Sequence, residues 1–295
     1  MQIDRKSIQA FLQRAALGLV LIPALILFVA LASELRRGGG LDSYATAIPE
    51  ALQFGLTFVQ ELLSGEIEIE PDIGEALPKS LGLLAVAIVI GVPIGLALGF
   101  YAASRRHGRI ASFLVTGSVI GVSTPSYVLA MFLIWAVVWI TRETGVRILP
   151  VYGFGWDERL ILPALVLAAR PLANMFRVSN STVTDVIDAD FVRTARSKGL
   201  DPRRVYSRHV LRNVAIPLLA ALLVSVSMAL SMLPIVEMIF SWPGIGLALL
   251  QTSDTTTTVM LVLPLVVLFV VADIALEFTN RIVDPRTHAR SEVES

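Results

Sequence analysis

Five stretches of this chain run for about 18 to 30 residues with at most one charge. Phe11 to Ala32 carries only Arg14, and Leu81–Ala103, Ala111–Ile140, Asn213–Val236 and Thr255–Ala272 carry none. A soluble domain breaks its apolar residues into periodic faces. A helix needs roughly 20 apolar residues to cross a hydrocarbon core, and there every backbone amide must be paired within the spanning structure. That leaves helices or a closed barrel. Barrel strands would show short alternating segments, and none are visible, so the chain reads as all-α and polytopic. Mean hydropathy is +0.73, with 16% charged residues, and the absence of cysteine excludes a disulfide framework or a cysteine metal site.

About six spans are expected, at 12–33, 80–103, 112–140, 160–179, 214–240 and 258–280. The fourth is the weakest, because Arg170 interrupts it and Pro171 follows. The connecting segments alternate in charge. Residues 34–77 hold nine acids against Arg36 and Arg37, 104–111 has only Arg105, Arg106 and Arg109, and 180–213 has seven basic residues against four Asp. Basic segments at every second loop place both termini in the cytoplasm by the positive-inside rule. The start, with Arg5, Lys6 and Ala30-Leu31-Ala32, has some features of a cleavable secretory signal. Its apolar run exceeds the usual 7–15 residues and contains Pro23, so the first helix is expected to be retained.

Small residues recur every fourth position at Gly91, Gly95 and Gly99, at Gly117 and Gly121, and at Ser227 and Ser231. Such spacing lets helix backbones approach closely. Packing of the bundle is the plainer reading, and a pore wall the functional one. Proline lies inside most spans (Pro23, Pro93, Pro125, Pro234, Pro264), each removing a helix hydrogen bond.

Catalytic chemistry has no inventory here. His107, His209 and His288 are scattered, and no H-E-x-x-H, G-x-S-x-G or Gly-Lys-Ser/Thr motif occurs. Charge inside a span marks ion and substrate pathways by default, which singles out Arg170, Glu237, Asp273 and Glu277. Asp273, Glu277 and Arg281, spaced i, i+4, i+8, can pair with one another. Arg170 looks central, and it either pairs between helices or faces a substrate path, where its fork suits a carboxylate.

The segment 180–213 is the most informative. Asp185, Asp188 and Asp190 lead a helical stretch that Arg193, Arg196 and Lys198 close, in keeping with the helix dipole. Ile187, Phe191 and Ala195 fall on one face. Gly199 is suited to a left-handed helix end, and Asp201-Pro202 to a new helix start. A basic helix pair could lie on anionic lipid, but its small apolar face and its hinge at Gly199-Leu200 suit docking to a protein.

These residues carry a resemblance. Phe191 through Leu200, reading FVRTARSKGL, followed by Arg208-His209-Val210-Leu211-Arg212-Asn213 and Ile216-Pro217, resembles the cytoplasmic loop of ABC importer permeases of the peptide/nickel (dipeptide/oligopeptide) branch. The general pattern is Glu-Ala-Ala with Gly four residues on; here Arg193-Thr194-Ala195 precedes Gly199. Val236 through Gly246, VEMIFSWPGIG, resembles the family's outer segment after the fifth helix. Asp273 to Asp284-Pro285-Arg286 resembles its last helix, and Leu77-Pro78-Lys79-Ser80-Leu81 the opening of its second. The likeness covers about 75–286. Departures are Arg37-Gly38-Gly39-Gly40 in place of a Pro-Gly-Asp-Pro-like turn, and Thr255 to Thr258 in place of Asp-Tyr-Pro.

The resemblance implies a type I ABC importer permease-like bundle. It would comprise an N-terminal helix with an extracytoplasmic segment (1–74), a five-helix core (75–286) and a cytoplasmic tail (287–295). It implies a multi-pass protein of the cell (inner or plasma) membrane, a homologous second permease, two ABC ATPase subunits and an extracytoplasmic solute-binding protein, with no nucleic-acid partner. ATP and Mg would be bound by the ATPases, leaving this chain without a cofactor or an enzymatic activity of its own. The coupling loop would be Asp190, Phe191, Arg193, Thr194, Ala195, Lys198, Gly199 and Leu200. Arg170 is the candidate for the substrate path. An ion-coupled secondary transporter, the alternative, would want midplane coupling residues and internal repeats; a membrane-anchored assembly protein would not need so many proline-bent helices.

Overall fold

The structure, a computed structural model, describes residues 53, 73–105, 108–199, 201, 210–252 and 257–267. The expected first span therefore lies outside the described residues, as does the sixth beyond residue 267. The described residues contain no strand. The helices are α1 (Ile73–Ser104), α2 (Arg109–Ser123), α3 (Ser126–Thr144), α4 (Ile161–Asp188), α5 (Asp190–Ser197), α6 (Leu211–Phe240) and α7 (Ile245–Gln251), with an apolar helix α8 at Thr257–Val267. A short 3₁₀ turn, Glu158–Leu160, leads into α4. The chain forms two compact units. One is Met1–Leu77 with Ala248–Ile274, of which little beyond α8 is described; the other is Pro78–Leu247 with Ala275–Ser295.

Within the second unit, α4 is the central helix. It packs against α2, α3 and α6, and most of its residues are buried, among them Leu162, Val166, Leu167, Ala168, Met175 and Phe176. The glycine stripe of α1 is the reason α1 can reach it. A Cβ on Gly91 would lie 2.7 Å from the Ala168 carbonyl oxygen, one on Gly95 would overlap that of Leu172, and one on Gly99 would overlap Ser179 Oγ. The packing reading of the stripe holds. Along the second pair, only Gly121 faces α4, at Ala173, while Gly117 has nothing within 4 Å among the described residues. Opposite these contacts α3 turns Met131, Phe132, Trp135 and Trp139 outward, an apolar surface that lipid tolerates and water does not.

Two expected boundaries are corrected. The third run, 112–140, is two helices, because Thr124 is extended (φ −75°, ψ 123°) ahead of Pro125, whose ring disfavours a helical residue before it. Prolines 93, 171 and 234 stay inside continuous helices. The fourth run does not end at 179, since α4 continues to Asp188. Its last two turns look polar, but Val183 and Ile187 seat into a cluster with Ala103, Val192, Ala195, Val210 and Val214. Tertiary burial of that narrow face carries the helix on where average polarity suggests a loop.

The stripe makes a clean contrast. Gly95→Val should lower the thermal midpoint of the detergent-solubilised protein, because overpacking against a backbone carbonyl costs about 1–3 kcal/mol. Gly117→Val should leave the midpoint near wild type.

Candidate functional site

Three places in the second unit hold polar or charged groups that the apolar bundle does not require. The first is α5. Ala189, with ψ 145°, separates it from α4, and the amides of Val192 and Arg193 donate to the Ala189 carbonyl at 3.0 and 3.2 Å. Val192 is fully buried and Ala195 nearly so, in the cluster that also holds the base of α6. The other side of α5 is open. Asp190, Phe191, Arg193, Thr194, Ser197, Lys198 and Gly199 are all exposed. Arg193 and Asp190 approach to 3.9 Å on the surface, a pair worth little in water. Gly199 has φ +69° with nothing near its would-be Cβ, so backbone conformation and not space calls for glycine there.

This differs from the sequence reading in two respects. Asp185 and Asp188 close α4, and only Asp190 begins α5. Phe191 does not share a face with Ile187 and Ala195, because the break at Ala189 shifts the helical phase between them. It is 45% exposed, while its neighbour Val192 takes the buried place. The left-handed helix end at Gly199 stands as expected. Leu200 and the helix expected from Pro202 lie outside the described residues.

The second place is on α4. Asn174 is buried, and its Nδ2 donates to the Ala221 carbonyl at 3.2 Å and to Ser225 Oγ at 3.1 Å, so a polar rung joins α4 to α6. One turn earlier stands Arg170, about 14 Å along the helix from Ile161. Its Nε is sealed from water with no hydrogen-bond partner among the described residues. Arg177, the other charge in the expected fourth span, is exposed.

The third place lies where α6 ends. Glu237 is fully buried. Its Oε1 accepts from Ser80 Oγ at 2.5 Å and its Oε2 from the Leu247 amide at 2.9 Å, with the Gly246 amide also bonded to the carboxylate. Ser80 Oγ in turn accepts from the Ile245 amide at 2.8 Å. The first amides of a helix have no partner within it; those of α7 are satisfied by a carboxylate from α6 and a hydroxyl from α1. Trp242, also fully buried, donates from Nε1 to the Lys79 carbonyl at 3.0 Å and meets Phe154 and Trp156 edge-on. The Gly153 amide donates to the Phe240 carbonyl at 2.9 Å. A Cβ on Gly244 would overlap Glu237 Oε1 and Ser80 Oγ, and one on Gly246 would come within 2.5 Å of Pro234 Cα. The Pro-Gly-Ile-Gly spelling follows from that crowding.

Residues 95–289, about two thirds of the chain, match the sequence pattern of the family described as "Binding-protein-dependent transport system inner membrane component". This chain belongs to that family. It is 32% identical to a putative peptide transport system permease protein of Brucella suis, over 73% of this chain and 71% of that one. It is 31% identical to a dipeptide transport system permease protein of Bacillus subtilis, over 71% and 67%. With an oligopeptide transport system permease protein of the same organism it shares 27% over 86% and 85%. The chain is therefore the multi-pass membrane permease subunit of an ABC importer, and not its ATPase. The resemblance to the peptide/nickel branch is borne out.

The sequence singles out Glu237 as a charge inside a span but assigns it no task. Its partners are 157 residues upstream and 10 downstream, and the two closely spaced glycines Gly244 and Gly246 hint at a tight turn without naming Ser80. The Asn174–Ser225 pair left no signal beyond an Asn inside an apolar run. Among the described residues no group of three His, Cys, Asp or Glu could hold a metal.

Proposed function

We propose that this permease imports peptides or a related small solute as part of an ATP-driven complex. Its partners are a homologous permease, two ABC ATPases and an extracytoplasmic binding protein, with both termini in the cytoplasm. ATP and Mg belong to the ATPases. The names of the relatives support the substrate class, and the alternating charge of the loops supports the orientation. On this reading the segment from Asp190 through Leu200, which α5 opens, is the ATPase-docking element. The observation that carries it is the division of α5 into a core-seated face, Val192 and Ala195, and an open face bearing Phe191, Arg193, Thr194 and Lys198. A helix so anchored passes a push at its open face into α1, α4 and α6. An ion-coupled mechanism has less to draw on, since Glu237 is occupied by its capping bonds.

Arg170 is the candidate contact on the substrate path. An unpaired guanidinium in a membrane span costs at least ~2.5 kcal/mol by insertion scales. Its Nε–H, which has no acceptor among the described residues, is suited to donate to a carboxylate, such as a peptide carries.

Three outcomes are expected. Gly199→Val should leave the permease in the membrane and reduce both transport and ATPase co-purification, because a β-branched residue resists positive φ; normal transport with wild-type co-purification overturns the docking role. Cysteine at the exposed Pro243, in a chain with none of its own, should react with an impermeant thiol reagent in intact cells, and cysteine at Thr194 should not; the reverse pattern inverts the topology. Arg170→Met should keep the thermal midpoint and the membrane level while lowering transport, with ATPase stimulation by loaded binding protein partly kept. A loss of stability in proportion to transport assigns Arg170 to packing instead.

A further inference from the structure

The Glu237 network is built on a larger scale than capping α7 requires. A seven-residue helix is ordinarily capped by a Ser, Thr, Asp or Asn just ahead of it. Here the caps come from two other helices, one of them 165 residues away in sequence, and one cap is a carboxylate buried within a membrane protein. A buried charge is poor evidence of a gain in stability, because desolvation offsets the attraction; it is better evidence of a geometry being held. Two further observations point the same way. Ser241, the non-glycine residue with positive φ among those described, stands at the head of this turn with φ 54°, a conformation kept only where the surroundings enforce it. The turn is also pinned from its side chain, by Trp242 on the Lys79 carbonyl and on the Phe154–Trp156 ring pair. Trp242, Gly244, Ile245 and Gly246 are buried, and within 241–246 only Ser241 and Pro243 are exposed.

We propose that Glu237 and Ser80 are positioning residues. They lock the turn 241–247 to the head of α1, so that the outer end of the permease keeps the fixed shape through which a loaded binding protein signals to the ATPases. This rests on the importer function and orientation proposed above. Neither residue touches the transported solute; both act through the turn they hold. Because Ser80 bridges Glu237 and the Ile245 amide, removing either residue opens the same lock.

The test uses the full transporter, with both permeases, the ATPases and the binding protein, reconstituted in lipid vesicles. ATPase activity is measured with and without binding protein loaded with a peptide mixture, for wild type, Glu237→Gln, Ser80→Ala and the double variant. Stimulation should fall about tenfold in each single variant, within the usual range of coupling between sites. Basal ATPase activity should stay within about twofold, and the double variant should lose no more than the singles, because residues acting as one unit are not additive. Glu237→Gln keeps the side-chain volume, and the thermal midpoint of each complex is recorded alongside. A wild-type ratio of stimulated to basal activity in both single variants overturns the proposal. So does an equal fall of basal and stimulated activity together with the midpoint, which would make the network a folding element alone. Wild type that no loaded binding protein stimulates would overturn the importer reading itself, an outcome distinct from either.

Discussion

Close approach of helix backbones is the constraint on which the rest of this bundle depends. In lipid there is no hydrophobic gain in bringing one apolar helix to another, so association rests on van der Waals fit and on a few polar contacts between helices. Gly91, Gly95 and Gly99 leave room for the carbonyls of Ala168, Leu172 and Phe176 directly against α1. With α1 that close, α4 becomes the axis on which α2, α3 and α6 also pack, and Asn174 adds a hydrogen-bonded rung to α6 at Ser225 and Ala221. Every candidate site inherits its position from this axis. Arg170 is on it, α5 continues from its end, and Ser80 reaches Glu237 from the helix it holds.

The two ends of the bundle solve different problems. At the α5 end an extended Ala189 turns the chain, and a single face, Val192 and Ala195, anchors an otherwise open helix to the α1, α4 and α6 bases. Such an element keeps its polar face and Phe191 free while its movement is bound to that of the bundle. At the Glu237 end almost nothing is left free. Buried carboxylate, hydroxyl, indole and glycine backbone interlock, and each donor at the start of α7 has an acceptor drawn from elsewhere in the fold. One end presents an open helix and the other holds its shape, a division that suits the importer role proposed above.

Hydropathy made the class of this protein legible because it is a local and additive property: a run such as Leu81–Ala103 has no soluble alternative. The motif around Gly199 was legible for a similar reason, since a left-handed helix end depends on the residue itself, and φ +69° is found there. The FVRTARSKGL and VEMIFSWPGIG stretches carried the family, which the match over 95–289 shows. What depended on tertiary contact was not legible. Read from the sequence, the fourth span ends at 179 and a separate helix begins with Asp185, yet burial of Val183 and Ile187 carries α4 unbroken to Asp188. Phe191 was grouped with Ile187 by spacing alone, and the break at Ala189 separates them. The glycine stripe announced a close contact but not its partner, and nothing near Glu237 in sequence names Ser80. Apolar character and motif are written in neighbouring residues, whereas the partner of a buried group is chosen by whichever distant segment the packing brings within about 3 Å.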